Sequence, residues 1–200
     1  MNIIHEDDAI VVVDKPHGQH VQPTPEGGEG TLLKQAEERY GASVRLVHRL
    51  DRDASGLLVL ARTSHVAGTL GDALKTHAIE RVYHAVVDVP LPAGLEASIR
   101  EPLRWAGGRT WVDPNGTPAV THYRVVAVDD TGTHLRVQLE TGRMHQIRVH
   151  LAHALGPIVG DRKYSGRHSS HLHLRAVSLS FHHPSSGEWL EFKVPTTHSI

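Results

Sequence analysis

The sequence contains no cysteine, which excludes disulfides and thiol chemistry from its folding and its function. Phe, Trp and Tyr together make up only 4% of the chain, so the 39% apolar fraction predicts a core that is mainly aliphatic. No apolar run approaches the ~20 residues that a membrane-spanning helix needs. The opening residues, from Met1 to Asp8, carry neither a basic start nor an apolar stretch, so no export signal is expected. The chain reads as a soluble cytoplasmic protein. A surplus of positive charge is also missing: the net charge is -1, which excludes a binder held to polyanions by bulk charge.

The distribution of charge says more than its sum. Residues 141 to 175 contain Arg143, Arg148, Arg162, Lys163, Arg167 and Arg175 against a single acid, Asp161. Acids gather elsewhere, as in Glu6-Asp7-Asp8, Glu37-Glu38 and Asp129-Asp130. A basic face on a near-neutral protein points to a local polyanion site. Histidine is abundant, at 18 residues, and His145, His150 and His153 or His168, His171 and His173 offer ring nitrogens in clusters. No HExxH pattern, cysteine or regularly spaced carboxylate completes a ligand set, so no metal is expected.

Ile10 to Val13 is a β-branched run ended by Lys15-Pro16-His17-Gly18, hence a strand entering a loop. The Pro/Gly-rich stretch from Gly18 to Gly30 reads as an exposed loop. Thr31 is placed to cap a helix carrying Leu32, Leu33, Ala36 and Tyr40 at helical spacing, with Gly41 as its stop. Leu57 to Ala61 reads as a buried strand, and a helix is expected after Ser64, to about Lys75. Val82 to Val87 and Leu135 to Leu139 alternate as strands. Arg100 to Pro118, with Gly107-Gly108 and Pro114-Asn115-Gly116, is a hairpin-rich insertion. A helix is predicted from Met144 to Leu155, ended by Gly156-Pro157, with strands near Leu174 to Phe181 and Trp189 to Val194. With 200 residues and no repeat or long linker, this is one α+β domain around a mixed, largely antiparallel β-sheet with flanking helices.

Two segments break these simple patterns. In His48-Arg49-Leu50-Asp51-Arg52-Asp53-Ala54-Ser55-Gly56, charges are wedged between the apolar runs Leu46-Val47 and Leu57 to Leu60. The bland alternative is a solvated turn with surface ion pairs. In the predicted helix, Met144, Arg148, Leu151 and Leu155 share one face, so an arginine interrupts an apolar stripe. Either its head reaches solvent along an apolar stem, or a buried acid meets it. Asp51 is the candidate acid. The opposite line of Arg143, Gln146, His150 and His153 is polar and is expected to face solvent or ligand.

His48-Arg49-Leu50-Asp51 followed by Ser55-Gly56-Leu57-Leu58 resembles the HRLDxxTSGLL motif of the RluA-type RNA pseudouridine synthases. Thr141 to His150 is similar to their TGRxHQIRxH motif. Val12 to Pro16, Arg81 to Ala85 and Gly160 to Tyr164 resemble the family's VVNKP, KxYxA and GDxxYG segments, and the five occur in family order across nearly the whole chain. The departures are Ala54 for a usual Thr, Asp14 for Asn, Arg81 for Lys and Arg175 where His is common.

The resemblance implies an RNA pseudouridine synthase, an isomerase that detaches uracil from ribose C1′, turns it and rejoins it through C5 after flipping the nucleotide out of its stack. It implies Asp51, Tyr83 and Arg148 as catalytic residues. Asp51 is the essential carboxylate, attacking covalently or removing the C2′ proton to give a glycal. Arg148 keeps that carboxylate ionised, and Tyr83 packs on the uracil with its hydroxyl available for proton transfer at C5. Arg49, Arg143, His145, Gln146, Lys163 and Leu174 are expected to bind substrate, with Leu174 closing the base pocket and Arg49 filling the gap in the stack. No cofactor is implied, because nothing is oxidised and no external group is transferred. The expected partner is a stem-loop of ribosomal or transfer RNA, met by a monomeric catalytic domain spanning 1–200 without an accessory RNA-binding domain. The competing reading is a non-catalytic RNA-binding protein of the same fold.

Overall fold

The computed structural model describes residues 1–23 and 29–196. Residues 24–28 of the expected Gly18–Gly30 loop lie outside the described part. Along the chain the elements are β1 (Asn2–Glu6), β2 (Ile10–Lys15), α1 (Leu32–Tyr40), β3 (Arg45–Leu46), β4 (Ser55–Ala61), α2 (Ser64–Lys75) and β5 (Glu80–Val87). They continue with β6 (Glu96–Ile99), β7 (Leu103–Ala106), β8 (Arg109–Val112), β9 (Thr121–Asp129) and β10 (Gly132–Leu139). The last three are α3 (Gln146–Ala154), β11 (Leu174–His182) and β12 (Trp189–Lys193). The class is α+β, as the sequence predicts. Two compact units are distinguished, residues 1–81 with 176–194 and residues 82–175 with 195–196.

In the first unit the strands follow one another as β1, β2, β4 and β11, with β3 paired to β4 and β12 to β11. β2 and β4 run antiparallel, Val12 opposite Val59 and Val13 opposite Leu58. Ile10 to Val13 and Leu57 to Leu60 are all at most 1% exposed. Strands covered on both faces need no polar alternation, which is why both read as continuous apolar runs. Each such side chain contributes ~1.5–3 kcal/mol of burial. Gly56 opens β4 at φ +107, and a Cβ there would lie 2.1 Å from the Ala176 carbonyl oxygen. Only glycine permits that close approach. The Thr31 hydroxyl accepts from Lys34 N at the start of α1, and α2 is capped by Thr63, one residue before the expected Ser64.

The second unit carries β5 (from Val82), β10, β9 and β6 side by side. Tyr83 stands opposite Val137, and Val137 opposite Tyr123 in the next strand. β7 and β8 form a separate two-stranded ribbon turning at Gly107-Gly108, within the expected hairpin-rich insertion. Its Leu103 packs with Ala119, Val149 of α3 and Tyr164, flanked by Val112 and Ala152.

The helix predicted from Met144 begins instead at Gln146, because His145 is in the left-handed region at φ 54. The polar line expected to face solvent or ligand also divides. Arg143 and His153 are exposed, but Gln146 and His150 are buried. Gln146 Nε2 donates to Val120 O at 2.9 Å and Thr121 Oγ1 at 3.0 Å, while its Oε1 accepts from Thr141 Oγ1 and Arg143 N. His150 Nε2 donates to the Glu101 carbonyl at 2.9 Å, so its Nδ1 accepts from the Thr121 hydroxyl at 2.8 Å. Side chains so engaged hold the Thr141–His145 loop to β9. Burial lowers the His150 pKa from its ordinary value.

Candidate active site

In the first unit, Asp51 lies half-buried in the loop between β3 and β4, with Arg49 exposed beside it. The loop is held from within. Lys15, at the end of β2, is fully buried and donates its ammonium to the carbonyls of Pro16 at 3.0 Å, Gln19 at 2.9 Å and Arg52 at 3.0 Å. Gly18 N donates to the same Arg52 carbonyl, and Ala54 N closes the turn on the Asp51 carbonyl. Burial pulls the Lys15 pKa down to about 8 against the opposing pull of Asp51 and Asp53. A buried cation therefore lies under the carboxylate loop. His48, which opens the motif, is a structural residue. Its Nε2 accepts from Val59 N at 3.3 Å, and burial, then the Arg81 charge, push its pKa down to about 3. It stays neutral.

In the second unit, Arg148 is buried on α3 and meets a buried acid, Asp161. Its Nε donates to Oδ2 and its Nη2 to Oδ1, both at 2.8 Å. Asp161 also accepts the backbone amides of Lys163 and Tyr164. Gly160 makes this turn possible at φ +80, since a Cβ would lie 1.8 Å from the His171 carbonyl oxygen. The Arg148 guanidinium lies 5.2 Å from the Tyr164 ring centre. The Tyr164 hydroxyl accepts from Thr110 N at 3.1 Å and is 2.9 Å from His145 Nδ1. Burial raises the Tyr164 pKa, so its hydroxyl keeps its proton at neutral pH.

The second unit thus joins Arg148 and His145 through Tyr164, and Lys163 sits in the turn that grips Arg148. Tyr83 and Leu174 are each 5% exposed, on β5 and β11. Arg143 and Lys163 are exposed, and each spends a donor on a carbonyl, of Pro118 and Gly108 respectively. Asp51 belongs to the other unit, and the acid seen against Arg148 within its own unit is Asp161. Asp161, Tyr164 and Lys15 are the site residues the sequence reading passed over. The signal for Asp161 was its position as the single acid in the basic stretch 141 to 175. Among the described residues, no group of three His, Cys, Asp or Glu is placed to hold a metal ion, and no helix is long and apolar enough to cross a membrane.

The chain is similar in sequence and fold to known proteins. The sequence model of the RNA pseudouridylate synthase family matches residues 9–153. The chain is 37% identical over 219 residues to ribosomal large subunit pseudouridine synthase D of Haemophilus influenzae, covering 98% of this chain and 67% of the relative. It is 43% identical over 200 residues to an uncharacterized RNA pseudouridine synthase of Chloroflexus aurantiacus, covering 91% and 61%. The chain spans about two thirds of the length of these relatives. Among solved structures, human RNA pseudouridylate synthase domain containing 4 superposes with a TM-score of 0.75 at 26% identity, over 97% of this chain and 88% of that one. Human RNA pseudouridylate synthase domain containing 1 shares the fold, with a TM-score of 0.81 at 24% identity over 98% and 83%. The chain belongs to the RNA pseudouridylate synthase family, isomerases that act on RNA.

Proposed function

We propose that this protein converts uridine in ribosomal RNA to pseudouridine, with Asp51 as the catalytic carboxylate. The observation that carries the reading is the Asp51 loop, a motif carboxylate left half-buried while the backbone around it is tied down by Lys15 and Gly18. A carboxylate held this way is oriented before substrate arrives, so little is lost in ordering it during the reaction. It acts either by attack at C1′ or by removal of the C2′ proton. Both routes break the C1′–N1 bond, and C5 then attacks C1′ and loses its hydrogen as a proton.

Tyr83 and Arg148 are proposed as the other catalytic residues, and Leu174 as an apolar wall for the base. Arg49, Arg143, His145 and Lys163 serve RNA binding. Gln146 acts through the loop it fastens. The named Haemophilus influenzae relative acts on the large ribosomal subunit, which supports ribosomal RNA as the target here. A uridine in a short stem-loop is the expected site, because extruding an unpaired base sacrifices less stacking and no pairing. The protein is proposed to work as a monomer in the cytoplasm.

The test is incubation with ribosomal RNA carrying tritium at uridine C5, in the presence of EDTA. Isomerisation releases the tritium. Binding without release would leave an RNA-binding protein of this fold, and loss of release with EDTA would reveal a metalloenzyme.

A further inference from the structure

The β7–β8 ribbon carries two large indoles in the open, Trp105 at 57% and Trp111 at 39% exposure. Trp105 stands opposite Thr110, and Trp111 opposite Arg104. Side chains alternate across a ribbon, so the two indoles lie on opposite faces. The Trp105 face also holds Leu103 and Val112, which pack with Val149 and Ala152 of α3. The other face holds Arg104, Arg109 and Trp111. From Leu103 to Val112 there are two arginines and no acid. Arg104 is matched by Asp113 at 2.6 Å, while Arg109 and Lys163 bring cations to the tip.

The tip is also fastened. Lys163 Nζ donates to Gly108 O at 2.6 Å, and Thr110 N donates to the Tyr164 hydroxyl. The Arg109 guanidinium lies 5.5 Å from the centre of the same Tyr164 ring, which is also packed against Arg148. Whatever the ribbon holds is therefore kept in register with Arg148.

We propose that this ribbon is an RNA-holding arm, on which Trp105 and Trp111 each stack against an unpaired base while Arg109 and Lys163 meet phosphates. The proposal rests on the RNA-modifying function above and names the element that grips the substrate. An indole on each face of a cationic ribbon suits insertion between splayed bases, each of which presents a flat π-face. A second copy of the chain would need its apolar contact gathered on one face. Trp189, at 46% exposure, serves as a contrast: its ring is already met edge-on by His182.

The experiment uses the full chain and two probes, decauridylate and C5-tritiated ribosomal RNA. Decauridylate should quench indole fluorescence. Changing Trp105 and Trp111 together to Ala should raise its Kd by at least about 30-fold, the product of two lost stacking contacts each worth about fivefold or more. KM for tritium release should rise in parallel, with kcat at saturating RNA within about twofold of wild type. The double Phe variant, which keeps a ring at each position, should recover part of the affinity, and Trp189→Ala should match wild type. Unchanged Kd and KM in the double Ala variant would overturn the proposal. So would unchanged RNA affinity with a fall from two copies to one in sedimentation. Should wild type release no tritium while the double variant still loses decauridylate, the arm stands and the assigned reaction falls.

Discussion

Arg148 and Asp161 hold each other by two parallel hydrogen bonds of 2.8 Å, with side-chain exposures of 6% and 0%. A fork of this kind fixes the plane of the guanidinium as well as its charge. The turn around Asp161 is thus the mount for a proposed catalytic residue. It also carries Lys163, which reaches the ribbon tip.

Removing the acid should be costly, because it strands a buried cation. Asp161→Ala is expected to lose ~3–5 kcal/mol of stability in urea unfolding, the range for breaking one side of a buried pair. Asp161→Asn should lose less, since one acceptor oxygen remains. An Ala variant within about 1 kcal/mol of wild type would show that solvent or another group replaces the carboxylate.

Asp51 should behave in the opposite way, with chemistry lost and fold kept. Asp51→Asn and Asp51→Ala are expected to abolish tritium release while retaining the wild-type circular dichroism spectrum and melting temperature. Turnover by either variant, or unfolding of both, would remove Asp51 from its proposed role.

Lys15 gives a prediction with a pH signature. Its ammonium bridges three carbonyls, so Lys15→Met leaves buried acceptors unmet, at ~1–3 kcal/mol for each one that water cannot reach. The folded pKa is about 8, below the unfolded value near 10.4. Between those values the unfolded chain binds the extra proton, so this group's contribution to stability rises with pH across the window. Urea unfolding from pH 7 to 10 should show that slope in wild type relative to Lys15→Met. Parallel curves would contradict the lowered pKa.

Tyr83→Phe keeps the buried ring and removes its hydroxyl. Decauridylate affinity should be unchanged, while turnover falls about 100-fold or more, as for loss of a proton-transfer group. Wild-type turnover would show that the hydroxyl takes no part.

The elements legible from sequence were those written in local chemistry. The Ile10 and Leu57 strands, the Thr31 cap and the Gly41 stop are where short-range pattern places them. Features set by distant partners were not legible. Nothing near His145 announces its left-handed backbone, which goes with a Gln146 side chain drawn inward to Val120 and Thr121. A fully buried lysine defies the usual exposure of that residue, and it takes the Arg52 carbonyl, 37 residues away, together with those of Pro16 and Gln19 to explain it. The family motifs pointed to Asp51 and Arg148, and the GDxxYG resemblance included Asp161 without giving it a role; its grip on Arg148 within its own unit is visible only in the structure.

The row from Gln146 through Thr121 and His150 to the Glu101 carbonyl has a further consequence, because its hydrogens all point one way. Reversing any member would set two hydrogens or two lone pairs against each other. The His150 imidazole is consequently locked as a single tautomer, with nowhere to accept another proton unless the whole row turns over. Like His48, it should be spectroscopically quiet, its ring nitrogen resonances standing still on mild acidification.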